Sequence, residues 1–405
     1  MIKNTLDGVK MVQHDELKNY DRIQEKIVSV MMTHGCKIVE TPTFEDYDVY
    51  RNYFPYMRKQ MIKTIDTDGR VLVLRPDVTV SLAKAVAKEF PDMAQLLKYG
   101  YVSTVFREYY GRSTYGKDFL QSGVEIFGDP NPECDGEIIV MAAEFLQSLG
   151  VTTMRIDIGT VAYTDELFKS LHLEDDVIQQ VRQYIDERNL VDFYRYVKEL
   201  ALTERQQEVL SAIPTLFGSY QETLDRARSL CITDGMNRAL DRLEGVYEYL
   251  VFARYDDMVQ LDFGFTSRLG YYTDMIFKIY VDGALYSVVD GGRYDRLSEQ
   301  FGVARPACGF GMNINLLYEF MNDVGLLGKA KPSFQLAIAY DVADKNLVRD
   351  LMDWRIGGYR VTAYGQDNLI DQGDYLICAT YAEGAYRVKG KICSKRELKE
   401  LMRRR

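Results

Sequence analysis

Phe119-Leu120-Gln121-Ser122-Gly123-Val124-Glu125-Ile126-Phe127-Gly128 reads as a strand on which Gln121 and Glu125 share one face. An exposed face is the ordinary place for such residues. Here Val124, Ile126 and Phe127 point instead to burial, and a buried carboxylate needs a positive or hydrogen-bonding partner.

Other strands flank this one. Residues 61–66 and 70–74 alternate around Asp68-Gly69, and residues 274–280 and 285–289 do so around Asp282-Gly283, both hairpin signals. Hairpins so far apart, with helices between them, imply an antiparallel sheet in an α+β domain rather than a doubly wound parallel one. The first clear helix is 14–34, where Leu17, Tyr20, Ile23, Ile27 and Val30 recur at spacings of three and four and Gly35 suits a left-handed C-terminal position. From about 164 to 256 hairpin signals give way to helical spacing such as Val177, Val181, Tyr184, which predicts a helical insertion. Gly325, Gly328 and Pro332 mark a linker. Beyond it, strands at 335–340, 360–363 and 375–379 and helices at 344–356 and 394–404 predict a small α/β domain. The expected domains are thus 1–322 and 333–405.

The 405 residues carry a net charge of -10, which argues against wholesale nucleic-acid binding but not against a local basic patch. The six cysteines form no CxxC pair and there are three histidines, so no metal site is expected. Scattered thiols suit a reducing compartment. With no apolar signal core at residues 1–16 and no 18-residue apolar run, the expectation is a cytoplasmic protein without membrane contact.

Four segments carry chemistry: Leu74-Arg75-Pro76-Asp77-Val78-Thr79; Val105-Phe106-Arg107 with the opening strand; Leu269-Gly270-Tyr271-Tyr272-Thr273 with Asp290-Gly291-Gly292-Arg293-Tyr294-Asp295; and Pro306-Ala307-Cys308-Gly309-Phe310-Gly311-Met312. Each has a plain structural reading. Asp77 can cap a helix, Asp290-Gly291-Gly292 can be a turn, and Tyr271-Tyr272 can be core or surface aromatics.

In this order and spacing, over about residues 5–320, the set resembles the class II histidyl-tRNA synthetase family, whose three motifs match Gly35–Glu45, the segment from Phe106, and the segment from Gly309. The resemblance implies a class II aminoacyl-tRNA synthetase-like antiparallel sheet flanked by helices. It also implies a histidine pocket. Asp77, Thr79, Gln121 and Glu125 would surround the α-ammonium and part of the imidazole, by charge-assisted hydrogen bonds. Tyr271 and Tyr272 would flank the imidazole, Gly291-Gly292 would let backbone approach, and Arg107 would face the ligand carboxylate.

The departures from that family bear on activity. Where it has a motif 2 glutamate and an ATP-phosphate arginine, this chain has Tyr109 and Tyr115. The adenine-packing arginine falls at Leu316, and the catalytic arginine before Tyr271-Tyr272 at Ser267, with Arg268 one residue on. Neutral residues cannot offset the charge of a transferring phosphoryl group, and one such lost donor costs about 2.7–4 kcal/mol. No catalytic residue, cofactor or metal is therefore expected.

The C-terminal domain is also short for an anticodon-binding domain, and residues 381–405 hold nine Lys/Arg and three Glu, read as a solvated basic helix end; tRNA binding is not expected. A histidyl-tRNA synthetase body without these groups resembles the regulatory subunits of short-form ATP phosphoribosyltransferase. That resemblance implies a non-catalytic homodimer within a hetero-oligomer, partnered by the short catalytic subunit, with L-histidine as effector. The alternatives are a divergent active histidyl-tRNA synthetase, which histidine-dependent ATP–pyrophosphate exchange would reveal, and a paralogue that senses uncharged tRNA.

Overall fold

The structure is a computed structural model that describes residues 11–53, 57–58, 60–90, 95–107, 117–265, 272–284, 286–328 and 332–403. It divides into two compact units, Met1–Leu326 and Leu327–Arg405.

In the first unit, α1 (His14–Thr33) carries Asp15 and Glu16 in its first turn, where the helix dipole favours negative charge. It buries Tyr20, Ile23, Ile27 and Met31. Leu17, expected on that stripe, is 50% exposed, because the buried row runs on through Met31. Gly35 takes the left-handed conformation foreseen for it, at φ +76°. After β1 (Lys37–Ile38) come β2 (Phe44–Asp46), α2 (Tyr47–Tyr53), β3 (Lys63–Ile65) and β4 (Val71–Leu74). The hairpin at 61–74 is present, with Asp66 Oδ1 accepting the N–H groups of Asp68 and Arg70. It forms a separate three-stranded sheet, β2-β4-β3, rather than joining the second hairpin.

The chain continues through α3 (Val78–Glu89), β5 (Leu97–Phe106), β6 (Asp118–Phe127), α4 (Pro132–Ser148) and β7 (Met154–Thr160). The helical stretch follows: α5 (Val161–Leu171), α6 (Asp175–Asp186), α7 (Leu190–Glu199), α8 (Glu204–Ala212), the short strand β8 (Phe217–Ser219), α9 (Tyr220–Ser229) and α10 (Asp234–Phe252). It is anchored rather than detached, since β8 pairs with β9 (Val259–Asp262) at the sheet edge and α10 packs on α4 and α5. Last come β10 (Met275–Val281), β11 (Val289–Arg293), β12 (Ala307–Asn313) and α11 (Ile314–Asp323).

Nine strands form the main sheet in the order β1-β5-β6-β12-β11-β10-β7-β9-β8. The central neighbours are antiparallel, whereas β1–β5 and β7–β9 are parallel. This is the antiparallel α+β sheet that the hairpins implied, in the arrangement that the resemblance to class II synthetases led one to expect. The second arm of the β10–β11 hairpin corrects the sequence reading: it starts at Val289, not at Leu285, which lies outside the described residues. The Asp282-Gly283 turn forms, but pairing resumes only when the Val288 N–H meets Ile279 O at 2.9 Å. That register sets Gly291 under the Phe277 ring, where any side chain would collide.

One face of the sheet packs on α4, where the Phe145 and Phe310 rings meet edge-on at 5.3 Å. A buried ion network ties the sheet to the helices. Arg293, 1% exposed, lies 2.7 Å from the fully buried Asp135 and also bonds the Asp129 carbonyl. Arg242 of α10 reaches Asp135 at 2.6 Å and Asp274 at 3.3 Å, and Asp274 accepts from Thr160 at 2.8 Å.

The second unit comprises β13 (Phe334–Tyr340), α12 (Lys345–Ile356), β14 (Val361–Gly365), β15 (Tyr375–Ala382), β16 (Ala385–Val388), β17 (Lys391–Cys393) and α13 (Lys395–Arg403), with strand order β14-β13-β15-β16-β17. Leu336, Ile338, Trp354, Tyr386, Leu398 and Met402 are in its core. The strands β16 and β17 are additions to the sequence reading. Glu383-Gly384 and Lys389-Gly390 each place two successive residues at positive φ, the geometry of tight hairpin turns matched to strand twist.

Breaking a buried ion pair from one side leaves an uncompensated charge, which typically costs about 3–5 kcal/mol. Arg293→Met is expected to lower unfolding stability by about that amount in urea titrations; a loss under about 1 kcal/mol would show that Asp135 is adequately served by Arg242 alone.

Candidate functional site

The strand register assembles the site. On one face of the sheet Glu125 of β6 is opposite Gly309 of β12, which is opposite Gly292 of β11. One step along, Tyr101 of β5 is opposite Gly123, which is opposite Gly311; a further step pairs Gln121 with Asn313. Glycines thus lie beside each large polar residue. A side chain on Gly309 would collide with the Glu125 carboxylate, and one on Gly123 with the Tyr101 ring. One on Gly311 would stand 2.6 Å from the Gln121 amide, and one on Gly292 2.9 Å from the Tyr272 ring. The result is a cluster in which large polar side chains lie over bare glycine backbone.

Glu125 is 1% exposed. Thr79 donates to its Oε1 at 2.5 Å, and the Tyr294 hydroxyl donates to Oε2. Burial pushes its pKa up to about 8; the two hydroxyl donors pull it down, and the Asp77 carboxylate raises it again. Asp77 is the N-cap of α3, its Oδ1 accepting from the Val80 N–H at 3.0 Å. Its plain reading and its proximity to the pocket therefore hold together. The cap fixes the carboxylate at the N-terminus of α3, and one turn of that helix delivers Thr79 to Glu125.

Tyr101 links the rest. Its hydroxyl donates to Gln121 Oε1 at 3.3 Å. Burial pushes its phenol well up, Glu125 and Asp77 push the same way, the Arg107 charge opposes, and Tyr272 adds a smaller upward push. Glu125, Asp77, Arg107 and Tyr272 are therefore all within electrostatic reach of one phenol. Arg107 directly follows β5, bridged to Met61, with its guanidinium 5.5 Å from the Phe119 ring centre. Tyr272 packs against two core clusters, beside Gly292. Arg75 is a strut: it is buried and bonds Thr104 O, Glu40 and Thr41.

Of the residues expected from the sequence, Asp77, Thr79, Arg107, Gln121, Glu125 and Tyr272 are brought together. Tyr271 lies outside the described residues, as do Tyr109, Tyr115, Ser267 and Arg268. Leu316 is in the first turn of α11, its N–H held by Asn313 Oδ1 at 3.1 Å, and offers no cation. Two contributors were missed, Tyr101 and Tyr294. The second was visible in the Asp290–Asp295 motif, but its partner is set by pairing between distant strands. Among the described residues no cluster of His, Cys, Asp or Glu could hold a metal ion, and no helix is long and apolar enough to cross a membrane.

The family model described as histidyl-tRNA synthetase matches residues 8–317. The fold and site therefore define a histidyl-tRNA synthetase-like body. An ATP phosphoribosyltransferase regulatory subunit from Acetivibrio thermocellus is 32% identical over 316 residues, covering 77% of this chain and 75% of the relative. Another, from Alkaliphilus metalliredigens, is 29% identical and covers 85% and 87%. A crystal structure titled ATP phosphoribosyltransferase regulatory subunit/histidyl-tRNA synthetase from Bacillus halodurans superposes with a TM-score of 0.80 at 26% identity, over 94% of this chain and 99% of that one. A histidyl-tRNA synthetase from Nostoc sp. shares the fold, with a TM-score of 0.75 at 18% identity over the whole of both chains. The chain belongs to the family of ATP phosphoribosyltransferase regulatory subunits.

The Glu125 pKa sets a pH dependence. The folded protein keeps a proton at Glu125 that the unfolded chain gives up above the ordinary value of 4.5. This contribution to stability is fully present below about 4.5 and is lost as pH rises through about 8. Glu125→Gln cannot ionise, so the ratio of its stability to that of the wild type should rise with pH across that window in thermal melts. Parallel pH profiles for the two proteins would contradict a protonated Glu125 in the folded chain.

Proposed function

We propose that this chain is the non-catalytic, histidine-sensing subunit of a two-part ATP phosphoribosyltransferase, the enzyme of the first step of L-histidine biosynthesis. It supports the activity of a separate short catalytic subunit and lowers that activity when histidine is bound. The observation that carries this reading is the Glu125 constellation: a buried carboxylate set over Gly309, with a second carboxylate, an amide, an aromatic ring and one cation around it.

The roles follow from the chemistry. Glu125, Asp77, Thr79 and Gln121 take the α-ammonium and part of the imidazole, since a cation restores the charge balance that burial denies two carboxylates. Tyr271 and Tyr272 flank the imidazole, and Arg107 takes the carboxylate. Leu316 offers no charge to a nucleotide, and Tyr115 and Ser267 are neutral by sequence, so amino-acid binding is kept while phosphoryl chemistry is not supported. We assign residues 1–322 to histidine binding and 333–405 to a reduced α/β domain. The working form we propose is a homodimer inside a hetero-oligomer with the catalytic subunit. Six unpaired cysteines suit its operation in the reducing cytoplasm.

Calorimetry with L-histidine tests the pocket. Wild type should bind, while Glu125→Ala and Asp77→Asn should each weaken binding at least tenfold. Asp77→Asn removes the charge yet retains an oxygen to cap α3, so loss of affinity there is not loss of the helix. Unchanged affinity in both variants would remove these residues from the site.

A further inference from the structure

We propose that the C-terminal unit contains a second ligand site, for a small nucleoside phosphate, in the cleft between the 366–374 crossover and the β16–β17 hairpin. The strand order β14-β13-β15 is the starting point. From β13 the chain moves out to β14 and then returns across β13 to β15, and both neighbours of β13 run parallel to it. The two connections, β13 to β14 and β14 to β15, travel in opposite directions across the sheet, so a topological switch point lies at the C-terminal end of β13 and β15. In open parallel sheets ligands bind in the crevice at such a point.

The two crossovers differ in bulk. Right-handed connections that travel in opposite directions fall on opposite faces of the sheet. The first carries α12, which with α13 fills the face bearing Leu336, Ile338 and Tyr386. The second, 366–374, holds only one short helical turn at Gln372–Asp374. Parallel strands are normally covered on both faces. Here the second face is left with a cleft of about 510 Å³, within the range of pockets for small molecules.

The lining specifies the ligand class. Its charged members are both cations, Arg387 and Lys389. Three acidic residues of the same crossover, Asp367, Asp371 and Asp374, do not line it. Among the described residues the ion pair of Arg387 is with Glu383 at 3.9 Å, whose side chain is 87% exposed, so solvent screens that pair. A guanidinium fork and an ammonium two residues apart suit a phosphate. Tyr364 offers a ring face, and Asn368, Gln372 and Thr380 offer the donors and acceptors that a nucleobase edge needs. Residues 327–405 carry a net charge of +5, whereas the whole chain is at -10, so this unit is the part that attracts anions.

The test is calorimetry on the full chain with adenosine and uridine 5′-monophosphates, the matching nucleosides, inorganic phosphate and a short single-stranded RNA. A monophosphate should bind at least tenfold more tightly than its nucleoside and than phosphate alone. Arg387→Gln and Lys389→Gln should each weaken it at least tenfold, and Thr380→Trp should block it by filling the cleft. Far-UV circular dichroism and urea titration of the same samples report whether the C-terminal unit of each variant is folded. Absence of mononucleotide binding at millimolar concentration would overturn the proposal. So would affinity unmoved by the three variants, phosphate binding as well as the nucleotide, or RNA binding that depends on Arg387 and Lys389 while mononucleotides do not bind.

Discussion

A carboxylate buried in a protein interior has to be satisfied, and the rest of this fold is arranged around one. Glu125 sits in the central antiparallel sheet with only 1% of its surface exposed, and Thr79 and Tyr294 donate to its two oxygens. Each donor fixes a different element. Thr79 sets the docking of α3, whose N-terminus is in turn fixed by Asp77. Tyr294 sets the segment after β11, where the neighbouring Arg293 is locked to Asp135 of α4. Gly309 must stay bare for the carboxylate to exist at all. Strands, helices and pocket therefore share one constraint, which is the desolvation of a single ionisable group.

Burial leaves that group incompletely compensated. Two hydroxyls lower the Glu125 pKa less than burial raises it, and it ends near 8. A pocket in this state favours a cation, since an arriving ammonium supplies what the hydroxyls do not. The same pocket offers little to a phosphoryl group. Leu316 at the start of α11, where the resemblance puts the family's adenine-packing arginine, carries no charge, which fits the proposed separation of recognition from catalysis on one scaffold.

Much of this was legible in the sequence because it is local. The face shared by Gln121 and Glu125, the turn at Asp68-Gly69, the end of α1 at Gly35 and the loss of cations at Tyr115, Leu316 and Ser267 can all be read along the chain. What was not legible depends on pairing between distant segments. The separation of the two hairpins into different sheets, the edge pairing of β8 with β9, and the Tyr294–Glu125 bond are set by register that no local pattern displays. The two tight turns at Glu383-Gly384 and Lys389-Gly390 were local but fell in a stretch whose basic charge invited a reading as solvated helix end. Asp77 was offered as either a cap or a ligand group, and a carboxylate with two oxygens can be both.

A sensor without chemistry acts only through coupling. For the histidine sensing proposed above, histidine must bind the active and the inhibited assemblies with different affinity, and couplings of about 1–3 kcal/mol, or about 5–150-fold, are typical. The most direct measurement is the ATP phosphoribosyltransferase activity of this chain reconstituted with a short catalytic subunit, titrated with histidine, for wild type and Glu125→Ala. The wild-type complex should be suppressed by histidine, and the Glu125→Ala complex should stay active and resist it at least tenfold. Equal inhibition of both complexes would contradict histidine sensing through Glu125 and would put the effector site elsewhere.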